Sequence, residues 1–377
     1  MFKKISLTVL LLMCGFVFSS NVEALDVSAK SAVIIEANSR NIIFEKNAHE
    51  KLPMASTTKI MTSLITLEAG IPNDVFRPTD EMLMVEGTSM GLLAGDTVTV
   101  KNLVYGMLLS SGNDAANCAA IKVGGNLQNF AKIMNKRAKI IGMDETNFVT
   151  PSGLDAKEHY STAYDMSLLG AEAIKNPAFR EICSSKSARI SFGNPPYMRM
   201  LSNHNNLLNT YPYAIGIKTG YTKKSNRCLV SAAQKDGVML VAVTLNAPND
   251  WNDHKEMFDY GFSQYSSVPL DSNLSDVILN VIGSKTKQLP VKCANEPKAA
   301  LMNGRSGEVV KKIFLKQFEY APIVEGKIVG VMCYYLDDKL LYETPIVTTT
   351  SAESNTIVKN DSQKKSFLKE LFEKFKK

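Results

Sequence analysis

Ser56-Thr57-Thr58-Lys59 places a hydroxyl and an amine three residues apart. On a helix, residues i and i+3 share a face, so the Lys59 amine can reach the Ser56 hydroxyl. A hydroxyl in a helix's first turn also sits among unpaired backbone N–H groups, which favour developing negative charge. With the amine neutral, such a pair is a nucleophile and its base. The spacing alone is not diagnostic, because Ser284–Lys287, Ser362–Lys365 and Ser366–Lys369 share it and read as plain surface. Of the four histidines, His49, His159, His204 and His254, none lies in an HExxH segment, and GxSxG does not occur. A serine–histidine triad assembled in space stays open, but a base other than histidine is the one to seek.

Two further groups follow. Ser111-Gly112-Asn113 comes after the apolar residues 103–109 and opens another helix. By itself it equally describes a helix N-cap with a glycine turn, and Ser39-Arg40-Asn41 has the same pattern. Lys218-Thr219-Gly220 occurs once, on a strand expected over residues 214–222. There Lys218 and Thr219 point to opposite faces, and Gly220 lets another backbone approach closely. Read alone, it is also an edge-strand lysine that guards against aggregation. The three groups stand in one order, 55 residues apart (Ser56 to Ser111) and then 105 (Asn113 to Lys218). Each occupies the element its chemistry needs: a helix start, a loop and a strand.

The elements that must position these groups are legible in outline. Residues 31–37 and 42–46 read as strands around the turn Asn38-Ser39-Arg40-Asn41. After Pro53, the positions of Ile60, Met61, Leu64, Ile65 and Leu67 keep a helical period. Residues 74–175 are mainly helical, broken by glycines and Pro151. Strands return over 214–222, 228–234 and 238–246, the last two joined by Asp236-Gly237, and a helix over about 253–265 closes the unit. Strands flanking a helical middle predict an α+β domain with one antiparallel sheet and a helical lobe. Beyond Val268 short strands, including 277–282, 309–315 and 328–336, are separated by Gly, Asn and Asp turns, with a hairpin about Asp337-Asp338. That pattern predicts a small all-β domain ending near Val347.

With its three groups, the chain resembles the penicillin-binding serine hydrolases, whose motifs are SxxK, SxN and KTG. It is most similar to the low-molecular-mass D-alanyl-D-alanine carboxypeptidases. The longer runs that carry this are Pro53-Met54-Ala55-Ser56-Thr57-Thr58-Lys59-Ile60-Met61-Thr62 and Ser111-Gly112-Asn113-Asp114-Ala115-Ala116. His159-Tyr160-Ser161-Thr162-Ala163-Tyr164-Asp165 and Gly216-Ile217-Lys218-Thr219-Gly220-Tyr221-Thr222 add to it. The resemblance runs from about Ser31 to the C-terminus. It implies a penicillin-binding/β-lactamase-like fold and an acyl-enzyme on Ser56, with Lys59 as base. Lys59 must then be neutral, and burial with a nearby Lys218 would lower its pKa.

The resemblance further implies that Ser111 relays a proton to the leaving amine and Asn113 orients Lys59 and the substrate amide. Backbone N–H groups of Ser56 and Tyr221 are expected as the oxyanion hole. Lys218, Thr219 and Gly220 would hold a substrate carboxylate, with Arg199 as helper. A site that reads a free carboxylate selects chain ends, hence an exopeptidase. That the residue removed is D-alanine, from the peptidoglycan stem pentapeptide, comes from the resemblance alone, as does inhibition by β-lactams. No metal or organic cofactor is required. Lys157-Glu158 and Asn249-Asp250-Trp251 depart from the family's usual residues. A β-lactamase would need a hydrolysing base, for which Glu158 lies in the right interval. A non-enzymatic peptidoglycan binder would have lost Ser56, Lys59 or Lys218.

The chain ends complete the expected organisation. Lys3 and Lys4 precede an apolar run, residues 5–18, and Val22-Glu23-Ala24 offers a cleavage site. This describes a secretory signal peptide over 1–24, the run being shorter than the ~18–20 residues of a membrane span. The expected order continues with a catalytic domain over 25–267, the all-β domain over 268–347, a polar linker over 348–361 and a helix over 362–377. In that last segment Phe367, Leu368, Leu371, Phe372 and Phe375 recur at helical spacing opposite a set of lysines. Such a helix lies in an anionic membrane interface. The expected location is therefore the extracytoplasmic face of a bacterial cytoplasmic membrane. The net charge of +6 sits largely in this C-terminal end, which argues against a nucleic-acid surface. Cys118, Cys183, Cys228, Cys293 and Cys333 are scattered without a CxxC, so zinc is not expected and most should be buried as small apolar residues.

Overall fold

A computed structural model describes residues 25–303 and 308–355 of the chain. The segments expected to form the signal peptide and the C-terminal helix lie outside the described residues.

Five antiparallel strands form the central sheet, in the order Ile42–Lys46, Ser31–Glu36, Val238–Leu245, Asn226–Lys235, Ala214–Thr222. Both faces are covered, which is why Ser31–Glu36 is buried at every position. Alternate side chains serve different cores. Val33 and Ile35 join Val230, Ala232, Val241 and Val243 beneath the helical lobe. Ala32 and Ile34 join Leu229, Leu240 and Ala242 against Met257 and Phe258 of the helix Asp250–Gln264. The hairpin at Asp236-Gly237 forms as expected, with Lys235 opposite Val238 and both turn residues at positive φ, the geometry that matches strand twist.

The helical lobe holds Lys59–Glu68, Val100–Leu108, Asn113–Gly124, Leu127–Ile141, Ala163–Ala173 and Pro177–Ser184. Ile60, Met61, Leu64 and Ile65 are buried, so the periodicity read from the sequence is the packed face. Elements not foreseen include the hairpin Ser187–Gly193 with Pro196–Ser202, the short pair Val75–Phe76 with Val98–Thr99 and the helix Pro177–Ser184. In that hairpin the first strand alternates, with Ala188, Ile190 and Phe192 turned in and Ser187, Arg189 and Ser191 turned out, whereas the second exposes Tyr197, Met198 and Met200 and shows no such pattern.

Past the short pair Tyr265–Pro269 with Lys298–Met302, a six-stranded sheet makes the all-β domain. Leu279, Val281, Leu289, Val291, Met332 and Ile346 form its core. Asp337 and Asp338 both take positive φ between Leu336 and Lys339, as the hairpin reading required. The linker expected over 348–361 is corrected for residues 348–355; the rest of it lies outside the described residues. Thr348 ends the last strand, Ala352 pairs with Ile323, and Asn355 N–H donates to Gly283 O at 2.6 Å. Backbone hydrogen bonds hold this stretch, and side-chain polarity gave no sign of them. Among the described residues, four of the five cysteines are buried and all five are free thiols.

His254 shows how tightly the closing helix is seated. Fully buried, it bonds Ser231 Oγ through Nδ1 and Thr244 Oγ1 through Nε2 at 3.0 Å. Burial pushes its pKa down to about 3. An unfolded histidine takes up its proton near pH 6.5, so the unfolded state binds more protons between pH 6.5 and about 3. Stability is therefore lost as pH falls through that window. Urea unfolding at a series of pH values should show a shallower acid slope for His254→Gln than for the parent, even though the variant starts less stable at pH 7.

Candidate active site

Ser56 stands on a 3-10 turn, Ala55–Thr58, immediately before the helix Lys59–Glu68. The turn is strained: Ala55 has φ of 48°, unusual for a residue with a Cβ. Two packed glycines hold it. A Cβ on Gly153 would lie 1.9 Å from Ala55 O, and one on Gly220 would lie 3.1 Å from Ser56 N. The close approach expected of Gly220 is thus to the nucleophile's own turn.

Lys59 is fully buried, and its amine has three partners. Nζ lies 2.8 Å from Ser56 Oγ, 2.7 Å from Asn113 Oδ1 and 2.7 Å from Ser152 O. Burial first, and the charge of Lys218 second, hold its pKa well below the usual lysine range, with Asp114 opposing. A neutral amine carries two protons and one lone pair. Asn113 Oδ1 and the Ser152 carbonyl can accept the two protons, which leaves the lone pair for the Ser56 proton. Asn113 is itself oriented by donating from Nδ2 to Glu86 O at 2.6 Å. Its neighbour Asp114 accepts the N–H groups of Met90, Gly91 and Leu92, and so fastens the loop beside it.

Ser111 precedes that helix with a left-handed backbone (φ 58°), and Gly112, not a hydroxyl, is the N-cap. His159 supports the nucleophile's turn from behind. Its Nδ1 accepts the Val149 N–H at 2.9 Å, so Nε2 carries the proton and donates to Thr58 Oγ1 at 3.0 Å.

A cleft of about 320 Å³ opens over Ser56. The helical lobe contributes Ser111, and the strand Ala214–Thr222 contributes Thr219, Gly220 and Tyr221. Arg227, Asp250, Trp251, His204 and Thr88 complete the lining. Two of the residues expected to bind substrate do not line this cleft. Lys218 is only 1% exposed and donates to Thr219 O at 2.8 Å, so it stands behind the wall and is absent from the lining. Burial lowers its pKa to about 7. Arg199 is also absent from the lining. Its guanidinium lies over the rings of both Phe192 and Tyr197, and Nη1 donates to Gly91 O at 2.9 Å.

The arginine that does face the cleft is Arg227, which sequence reasoning missed. Its Nε and Nη2 donate to Asp250 Oδ1 at 2.9 and 2.7 Å, and it lies over the Trp251 ring. The one hint was that Asn249-Asp250-Trp251 departs from the expected residues. Glu158, weighed as a hydrolysing base, is exposed and off the cleft.

An antiparallel sheet backed by a helical lobe, with a serine and a buried lysine at their junction, defines a penicillin-binding serine hydrolase. A family model described as D-alanyl-D-alanine carboxypeptidase matches residues 18–249, and one described as penicillin-binding protein 5, C-terminal domain, matches residues 269–354. D-alanyl-D-alanine carboxypeptidase DacF of Bacillus subtilis is 32% identical over 329 residues, covering 84% of each chain. DacC of Escherichia coli is 28% identical over 356 residues, covering 90% of this chain and 88% of the relative. Among solved structures, penicillin-binding protein 5 from Haemophilus influenzae aligns with a TM-score of 0.62 at 26% identity, over 88% of this chain and all of that one. The chain belongs to the D-alanyl-D-alanine carboxypeptidase family and is a serine-type, low-molecular-mass penicillin-binding protein.

Gly153→Ala tests the support of the nucleophile's turn. The added methyl meets a backbone oxygen at a glycine with φ of +87°. We expect a loss of about 2 kcal/mol or more in unfolding free energy, together with slower acylation by penicillin in the variant that remains folded. Calorimetry and labelling rates on one preparation check both.

Proposed function

We propose that Ser56 of this carboxypeptidase attacks the peptide bond before the terminal D-alanine of a peptidoglycan stem pentapeptide. The single observation that carries this reading is the buried Lys59 amine, 2.8 Å from Ser56 Oγ and held by two other acceptors. Lys59 takes the serine proton, and the acyl-enzyme divides hydrolysis into two easier steps. Backbone N–H groups of Ser56 and Tyr221 receive the oxyanion, a role supported by the packing of Gly220 on Ser56. Ser111, at the cleft surface, passes the proton to the leaving amine, and Asn113 orients Lys59. β-Lactams acylate the same serine.

The two buried lysines divide their work. Lys218, behind the wall, acts as the cation that helps keep Lys59 neutral. The substrate carboxylate is received by Thr219 and by Arg227, which Asp250 and Trp251 hold in place. We further propose that the enzyme is exported, acts outside the cytoplasmic membrane, and is tethered there by residues 362–377.

Two experiments test this reading. Ser56→Ala should abolish covalent labelling by penicillin with the fold intact, and mass spectrometry showing another labelled serine would sink the assignment. Arg227→Ala should lower kcat/KM on a free-acid pentapeptide about ten- to a hundredfold, the worth of one charge-assisted contact. It should change little on the C-terminal amide. Lys218→Ala should instead lower both substrates alike, because its charge acts on Lys59. If Arg227→Ala damages acid and amide equally, it is not the carboxylate's partner.

A further inference from the structure

The outer face of the all-β sheet is more apolar than a wetted surface requires. In Ile278–Ile282, Leu279 and Val281 point into the core, while Ile278 and Ile282 point out. The parallel edge strand Phe318–Tyr320 sets Phe318 opposite Asn280 and Tyr320 opposite Ile282, on that same outer face. Tyr320 is 62% exposed and Phe318 44%, and their rings meet edge to face with centroids 5.5 Å apart. An exposed aromatic pair on a strand whose outer edge no described strand pairs marks a surface that something covers.

Charge selects the occupant. Residues 278–292 carry Lys285, Lys287 and Lys292 and no acidic residue. Residues 316–328 add Lys316 and Lys327, both paired with Glu319, and one further acid, Glu325. The described chain leaves from this same edge, where Asn355 N–H donates to Gly283 O. The 22 residues that follow hold seven lysines against three acidic residues. A second copy, or that tail folded back, would set positive charge on positive charge. An anionic bilayer surface complements both, and exposed aromatic and aliphatic side chains on lysine-rich segments suit its interfacial zone.

We infer that the face made by Ile278, Ile282, Phe318 and Tyr320 docks on the anionic lipid interface and so sets how the enzyme stands on its membrane. The inference rests on the membrane association proposed above and adds a second contact to the tether.

Full-length protein is sedimented with vesicles of phosphatidylglycerol and phosphatidylcholine, and with phosphatidylcholine alone. Phe318→Ser with Tyr320→Ser should weaken binding to the anionic vesicles about fivefold or more, with melting temperature and peptidase activity unchanged. As a variant that keeps the packing, Phe318→Trp should gain a blue-shifted emission component on anionic vesicles and be quenched by brominated lipid. A chain ending at Ser362 tests the tether separately. If that chain loses binding while the double variant binds like the parent, the face is not a lipid contact and the tether alone anchors. If the parent ignores anionic vesicles, both readings fall. If the parent dimerises and the double variant does not, the occupant is a second copy and the lipid assignment is wrong.

Discussion

A lysine can serve as a base at neutral pH only if the protein makes its charged form costly, and much of this fold is arranged around that requirement. Lys59 has no exposed surface, so its ammonium form would face a large desolvation cost. Yet a buried amine with unmet hydrogen bonds would also be costly. Asn113 Oδ1 and the Ser152 carbonyl resolve this by accepting from Nζ at 2.7 Å each, leaving Ser56 the remaining position. The constraint therefore reaches out to the loop that carries Ser152, to the helix that starts at Asn113, and to the strand that carries Lys218.

The second buried lysine sharpens this arrangement and also makes it expensive. Lys218 is buried close enough to lower the proton affinity of Lys59, so a state in which both are charged is destabilised. Asp114 moderates the effect from beneath while its carboxylate fastens residues 90–92. Backbone strain gathers in the same place, at Ala55 and Ser111, both with positive φ. Strain of this kind persists where surrounding structure over-determines it. Gly153 and Gly220 are the parts of that surround that admit no side chain.

The cleft and the outer β face obey a common rule: an exposed group out of character with its surroundings is there to meet something. Arg227 is held by a nearly buried aspartate, Asp250, and so points its guanidinium without freedom to collapse. Phe318 and Tyr320 remain exposed although core positions exist one residue away on the neighbouring strand.

The sequence by itself determined the chemistry on offer and the kind of element bearing each part. Ser56 with Lys59, the Ser111–Asn113 group and Lys218–Gly220 were legible because their geometry is local, set by helical and strand periods. The central strands, the two short hairpins and the helix of Ile60, Met61, Leu64 and Ile65 were legible for the same reason. The hairpin Ser187–Gly193 with Pro196–Ser202 was not read, although Ala188, Ile190 and Phe192 alternate with polar residues, because its second strand exposes Tyr197, Met198 and Met200 and gives no matching pattern. Tertiary structure alone decided that Lys59 is buried and which groups hold it, since Asn113 and Ser152 lie 54 and 93 residues away in sequence. It also decided that Lys218 stands behind the wall, that Arg199 is spent on Phe192, Tyr197 and Gly91, and that Arg227 takes the cleft. Motif spacing fixes what a side chain can do, but solvent and neighbours fix its charge and direction. Those come only from contacts between residues distant in the chain.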